Sequence, residues 1–238
     1  MKIDLTGKKA LVGGSSKGIG LGIAKSLKDE GVKVAITSRS QQTVDKAVSE
    51  LESIDAGEVL GIVADVRSME SQEAAVKKVI EAWGSLDVLI ANAGLGHFAS
   101  IEDLTADQWN ETIDTNLTGV FYSIKSGLDA LKKSQGYFIT ISSLAGTNFF
   151  AGGSAYNASK FGLTGFTQAV MLDLRKYGIK TTTIMPGSVA TGFSSKSGND
   201  EWKIQIEDLG QMVVDLLKVH PRTLPSKIEV RPTMPPKK

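Results

Sequence analysis

The chain has 238 residues, 41% hydrophobic and 22% charged, the composition of an ordinary globular protein at a length that an α/β fold manages as one domain. Its formal charge of +1 leaves no excess of basic residues to neutralise a phosphate backbone, which argues against a nucleic-acid partner. With no cysteine and only two histidines, His97 and His220, far apart in sequence, disulfides, thiol chemistry and Cys/His metal sites are excluded, and no metal is expected.

The opening segment has no long apolar stretch, and charges break every later apolar run before it reaches membrane-spanning length. A cytoplasmic protein away from membranes is therefore expected. In chain order, strands are predicted at 10–13, 32–37, 59–64, 86–91, 137–141 and 181–185, alternating with amphipathic helices at 18–30, 41–54, 69–83, 105–132 and 155–177. Five of the six prolines fall after residue 220, so the end of the chain reads as a short helix at 207–218, an edge strand near 228–230 and a flexible tail from about 231 to 238. Continuous apolar strands suit a sheet covered on both faces, and repeated strand-helix-strand order implies right-handed parallel crossovers. The expected architecture is a three-layer, doubly wound Rossmann fold with a mostly or entirely parallel seven-stranded sheet, one domain over 1–238.

Directly after the first strand stands Gly13-Gly14-Ser15-Ser16-Lys17-Gly18-Ile19-Gly20, followed by a helix-compatible run. Gly14, Gly18 and Gly20 permit a tight turn and close backbone approach, and the next helix presents unpaired N–H groups and a positive dipole end to a pyrophosphate. A compact connection without a ligand is the plainer reading of such a turn. The end of the second strand weighs against it: Thr37-Ser38-Arg39 stands where an NAD-binding protein places an acid on the ribose 2′-hydroxyl. Arg39, with Lys17 in the turn, suits a 2′-phosphate instead, so NADP(H) is preferred over NAD(H).

Ser154 to Gly162 opens a helix in which Tyr156 and Lys160, four apart, share a face. A phenol has a pKa of about 10, too high for rapid proton exchange near neutrality. A nearby ammonium and an oxidised nicotinamide both favour phenolate, and lowering the pKa by about three units takes roughly 4 kcal/mol. The rest of this helix repeats Ala158, Gly162, Phe166, Val170 and Leu174 in steps of four, which predicts a packing face separate from the reactive pair. A surface tyrosine beside a lysine is the plain alternative. Against it stands Ile139-Thr-Ile-Ser142-Ser143, which puts a hydroxyl at the carboxyl edge of the sheet, where ligands bind in this fold. Ser143 can donate to a carbonyl oxygen, while strand alternation turns Ser142 to the other side.

With Gly14-x-x-x-Gly18-Ile19-Gly20, Asp65-Val66, Asn92-Ala93-Gly94, Asn116, Ser143, Tyr156-x-x-x-Lys160 and Pro186-Gly187 in this order, the sequence resembles the short-chain dehydrogenase/reductase family through about Thr191. The resemblance implies that Tyr156 is the general acid in reduction and that Ser143 holds the carbonyl oxygen. Lys160 would bind the nicotinamide ribose and depress the phenol pKa, and Asn116 would order a water for a proton relay. Asp65 and Val66 would contact adenine, Asn92, Ala93 and Gly94 would line the cofactor, and Val189 with Thr191 would touch the carboxamide. Ser16, Ile19 and Ser38 complete the cofactor set, alongside Pro186 and Gly187. For Asn92 a buried structural role stands beside the functional one.

The expected activity is NADP(H)-dependent, reversible reduction of a ketone, aldehyde or 3-oxoacyl thioester to an alcohol. A homodimer or homotetramer is expected through the helices at 105–132 and 155–177, although Ile228-Glu-Val-Arg-Pro232-Thr replaces the family's usual Asp-Gly-Gly ending. A hydrolase is disfavoured because Gly152-Gly-Ser154-Ala-Tyr156 lacks the final glycine of a nucleophile elbow. A nucleotide-binding sensor of the same fold without turnover remains the other class. Substrate choice should lie with 96–99, 144–153 and a lid at 188–203, where Phe149, Phe150, Phe193 and Trp202 add apolar surface or pack in a core.

Overall fold

Seven strands, β1 (Lys9–Gly13), β2 (Lys33–Ser38), β3 (Val59–Val63), β4 (Val88–Ala91), β5 (Tyr137–Ile141), β6 (Lys180–Pro186) and β7 (Lys227–Val230), form one sheet in the order β3-β2-β1-β4-β5-β6-β7, with every pairing parallel. The computed structural model describes residues 3–193 and 200–234. Residues 194–199 of the expected lid and 235–238 of the expected tail lie outside the described residues.

Each strand alternates its side chains between two cores. Ala10, Val12, Val34, Ile36 and Ile90 face helices α1 (Gly18–Asp29), α2 (Gln41–Glu52) and α7 (Ile206–Leu217). Leu11, Ala35, Ile62, Leu89 and Phe138 face α3 (Met69–Trp83), α5 (Gly119–Ser134) and α6 (Ser154–Leu174). The result is the expected three-layer doubly wound α/β fold. Ligands in such sheets bind at the carboxyl ends of the strands where the order reverses, here between β1 and β4.

Local chemistry sets the helix boundaries. The Ser40 and Ser68 hydroxyls accept from Thr43 and Ser71 N–H at the starts of α2 and α3. Thr105 and Gln108 form a reciprocal capping box at the start of α4 (Ala106–Ile113), and Gly84 ends α3 with φ +79°.

Two expectations need correction. The helix anticipated over 105–132 is two α-helices, α4 and α5, joined by a π-helical turn at Asp114–Thr118. The turn brings in one extra residue, and Asn116 lies inside it, fully buried. On α6 the inward face is Ser159, Lys160, Leu163, Thr167, Met171 and Leu174. Of the anticipated stripe, Leu174 is buried and Phe166 and Val170 pack half-buried against the same core, while Gly162 is half-buried and Ala158 is exposed. The inner face accepts polar side chains because they find partners there, as Thr167 does with Thr140 at 3.0 Å.

Helices α1 and α7 touch through glycine: a methyl group on Gly22 would stand 2.5 Å from the Ile206 carbonyl oxygen, which is backbone and cannot swing aside. Gly22→Ala is therefore expected to lower stability by about 1–3 kcal/mol, read as a shifted midpoint in urea unfolding.

Candidate active site

The glycine-rich turn between β1 and α1 is held from two neighbouring strands. From the end of β4, the Asn92 side-chain amide donates to the Gly13 and Gly14 carbonyls at 3.1 and 2.8 Å. From β2, Thr37 Oγ1 accepts the Gly14 N–H at 3.1 Å, and Ser15 Oγ accepts the Thr37 N–H while donating to the Val12 carbonyl. Gly14 and Gly18 have φ of +64° and +58°, which favours glycine at both. A methyl group on Gly14 would lie 2.6 Å from the Ala93 Cα, and one on Gly20 would lie 2.5 Å from the Asn92 amide nitrogen. Lys17, the N-cap of α1, makes no side-chain capping bond, so the first N–H groups of the helix point into the turn without that partner.

Ser16 and Ser38 hydroxyls meet at 3.1 Å at the far end of this turn, and Lys17 and Arg39 stand beside them, both exposed. Asp65 and Val66 close that end. A residue not anticipated from the sequence, Arg67, grips the Asp65 carboxylate through Nε at 3.1 and 3.2 Å and Nη2 at 2.7 Å, and holds its pKa below the usual carboxylate range. The available signal was a basic residue two positions after the acid at a strand end. Arg39 forms no ion pair among the described residues.

A cleft of about 1000 Å³ runs from Lys17 and Arg39, past Gly14, to Ser143, Tyr156 and Lys160. Gly18, Ile19, Asn92 and Gly94 line it from the glycine-turn side, and Pro186, Gly187, Val189 and Thr191 line it from the end of β6. A β-bridge between Val189 and Ile204 and a Gly187 N–H bond to the Val230 carbonyl fix that second wall. Ala93 borders the adjoining hollow with Ser16, Ser38, Asp65 and Val66. Gly20 and Asn116 stand behind the wall. The Asn116 amide donates to the Leu95 carbonyl at 2.8 Å and to Ser159 Oγ at 3.0 Å, and its oxygen accepts the Leu95 N–H at 2.9 Å. His97, further along the same loop, pairs with Glu111 at 2.8 Å.

At the end of β5 the two serines part as strand alternation requires. Ser142 is buried, bonded to Thr164 Oγ1 at 3.0 Å, while Ser143 faces the cleft with its oxygen accepting the Ala145 N–H at 3.1 Å. Tyr156 lies beside Ser143. Lys160 is buried, its ammonium donating to the Ile141 carbonyl at 3.0 Å and standing 5.8 Å from the Tyr156 ring centre.

In the protein alone, burial pushes the Tyr156 pKa up, and the Ser143 hydroxyl offsets only part of this. Burial also pushes Lys160 down, to about 8. Both groups lean towards their neutral forms.

Residues 8–202 match the family profile of short chain dehydrogenases. The chain belongs to the short-chain dehydrogenase family. It is 34% identical over 226 residues to a Streptomyces coelicolor protein provisionally named a ketoacyl reductase, covering 92% of this chain and 86% of that one. It is 36% identical over 189 residues to trans-4-hydroxycyclohexanecarboxylate dehydrogenase of Sinomonas cyclohexanicum, covering 77% and 73%. The crystal structure of an alcohol dehydrogenase from the archaeon Thermococcus sibiricus, complexed with 5-hydroxy-NADP, superposes with a TM-score of 0.89 at 28% identity, covering 97% of this chain and 99% of that one. This short-chain dehydrogenase is thus an oxidoreductase of a family that binds a nicotinamide cofactor. Among the described residues, no helix is long and apolar enough to cross a membrane, and no group of three or more His, Cys, Asp or Glu side chains could hold a metal.

The lysine of this short-chain dehydrogenase makes its stability depend on pH. Folded, Lys160 releases its proton near pH 8; unfolded, it keeps it up to its ordinary value of 10.5. Between these values the unfolded chain binds more protons, so stability rises with pH. Lys160→Met lacks this gain. Urea unfolding of ligand-free protein is expected to show the variant's stability relative to wild type falling by up to about 3 kcal/mol from pH 8 to 10.5.

Proposed function

We propose that this chain catalyses the reversible NADP(H)-dependent reduction of a ketone, aldehyde or 3-oxoacyl thioester to an alcohol, with Tyr156 as general acid and base. The observation that carries the reading is the meeting of Ser143, Tyr156 and buried Lys160 in the cleft that begins at the glycine turn. The names of the Streptomyces, Sinomonas and Thermococcus relatives point to the same carbonyl/alcohol chemistry.

The residues present fit a nicotinamide dinucleotide phosphate. The turn has room only for glycine at Gly14 and Gly20, the start of α1 has no side-chain cap, and the adenosine end carries Lys17 and Arg39. Ser16, Gly18, Ile19 and Ser38 shape the phosphate and ribose sites, Asp65 and Val66 the adenine site. Asn92, Ala93 and Gly94 form the floor, and Pro186, Gly187, Val189 and Thr191 flank the nicotinamide end. Arg67 is committed to Asp65, which leaves Arg39, with Lys17, for a 2′-phosphate. When bound, the cofactor supplies or accepts the hydride.

The chain's own side chains manage the oxygen and the proton. Ser143 accepts from Ala145 N–H, which fixes its oxygen, and its hydrogen, engaged with Tyr156 in the ligand-free protein, can turn to a substrate carbonyl. Burial keeps the Tyr156 phenol protonated, the form that gives a proton to the developing alkoxide. Lys160, at about 8, exchanges its own proton near neutrality and can refill the phenol. Asn116 uses both of its amide hydrogens on protein, so the remaining lone pair of its oxygen is what the side chain offers a relay water.

We also propose a cytoplasmic homo-oligomer, dimer or tetramer, built on α4, α5 and α6. These helices expose Trp109, Phe121, Phe161 and Leu172. The half-buried Gly162, Phe166 and Val170 add to this outer face.

Steady-state kinetics test the assignment. Tyr156→Phe is expected to lower kcat/KM about 10²–10⁴-fold with NADPH affinity kept. Full activity in that variant would defeat the reading. Arg39→Ala should weaken NADPH binding about tenfold or more and leave NADH binding nearly unchanged, measured by cofactor fluorescence.

A further inference from the structure

Around the Tyr156 ring stands a group of aromatic side chains that the proposed proton chemistry does not use. The Phe98 ring lies edge-on to Tyr156 at 5.4 Å between centres, and Phe193 is tilted against Tyr156 at 5.8 Å. Phe98 also contacts Phe193 at 6.3 Å and Phe150 at 6.0 Å. Phe98, Phe150 and Phe193 are 51%, 49% and 47% exposed, so each is held on one side and open on the other.

The rings are seated against glycine. A methyl group on Gly96 would stand 2.7 Å from Phe98 Cζ and 3.2 Å from Phe193 Cζ, and one on Gly153 would stand 2.5 Å from Phe150 Cε2. Loops from different parts of the chain are tied to keep them together. The Ala99 N–H donates to the Gly152 carbonyl at 2.9 Å, and Asn157 of α6 donates to the Ala145 and Asn148 carbonyls at 2.8 Å each. Half-exposed phenylalanines cost solvation unless something apolar covers them, and flat rings prefer edge and offset contact with other rings. Among the described residues lining the cleft, Asp200 neutralises Lys203 beside Trp202, and the buried Lys160 ammonium is turned to the Ile141 carbonyl. The phenylalanine wall itself is apolar among the described residues.

Resting on the oxidoreductase reading above, we infer that the preferred substrates are alicyclic or aryl ketones and their alcohols, seated with the ring against Phe98, Phe150 and Phe193 and the oxygen at Tyr156 and Ser143. Phe98, which touches Tyr156, Phe150 and Phe193, is the specificity-determining residue of this wall. Charged linear acyl compounds gain nothing from it.

The test uses the full chain with NADPH and three probes: cyclohexanone, acetophenone and 5-oxohexanoate, the last matching cyclohexanone in carbon number. Both ring ketones are expected to exceed 5-oxohexanoate about tenfold or more in kcat/KM. Phe98→Ala should lower the ring-ketone values about 10–100-fold, mainly through KM, while NADPH affinity stays within about threefold. Phe98→Leu, which keeps the bulk, should recover cyclohexanone more than acetophenone, and thermal unfolding of both variants separates lost contact from lost fold. Equal turnover of 5-oxohexanoate and the ring ketones, or an equal loss on all probes in folded Phe98→Ala, would overturn the substrate class and leave the oxidoreductase reading standing. Wild type that binds NADPH yet reduces no carbonyl and oxidises no alcohol would overturn both.

Discussion

The site depends on the amide of Asn92, which reaches from the end of β4 to two carbonyls of the turn after β1. Those two strands are sequence-distant but adjacent in the sheet, and the crevice between their carboxyl ends is where a doubly wound fold can admit a ligand. One side chain thereby sets the width of the crevice and the conformation of its floor. Gly14 and Gly20 follow from it, because Ala93 and the amide itself occupy the space that any larger residue would need. Asn92 thus holds the turn and lines the cleft through one arrangement.

Further along the cleft, burial sets the charge states. It raises the affinity of Tyr156 for its proton and lowers that of Lys160, so in the empty protein the phenol is neutral and the ammonium gives up its proton more readily than a free lysine. A low-dielectric site of this kind responds strongly to charge brought in from outside, since each added group is poorly screened. Acceptors that arrive beside the lysine hold its charge more firmly, and the phenol then feels it. The helix spacing puts the two residues within reach of each other, and the surrounding apolar walls make that reach matter.

Features written in contiguous residues were legible in advance. The glycine spacing, the four-residue step from Tyr156 to Lys160 and the strand-end Ser143 all depend on local geometry, and the fold brings them along one cleft. The element order was equally readable because each strand is an uninterrupted apolar run between amphipathic segments. What could not be read depends on tertiary partners. The inner face of α6 accepts Ser159 and Thr167 because the Asn116 amide and the Thr140 hydroxyl across the interface satisfy them, whereas the apolar step-of-four pattern lies partly at its edge. Arg67 takes its role only from Asp65 beside it, and Phe98 only from the three rings that converge on it. The π turn leaves no periodic trace, since one additional residue between two helical runs looks like a continuation of either.

That turn has a consequence for how such a chain can change over generations. A helix advances about 100° per residue, so losing one residue from Asp114–Thr118 would restore a regular spiral and swing Asn116 roughly a quarter turn away from Leu95. A substitution at exposed Asp114 can be absorbed, but a codon deletion in this stretch would repair the helix and dismantle the loop that carries Phe98. Length, together with the identity of Asn116, is what drift cannot touch in this segment.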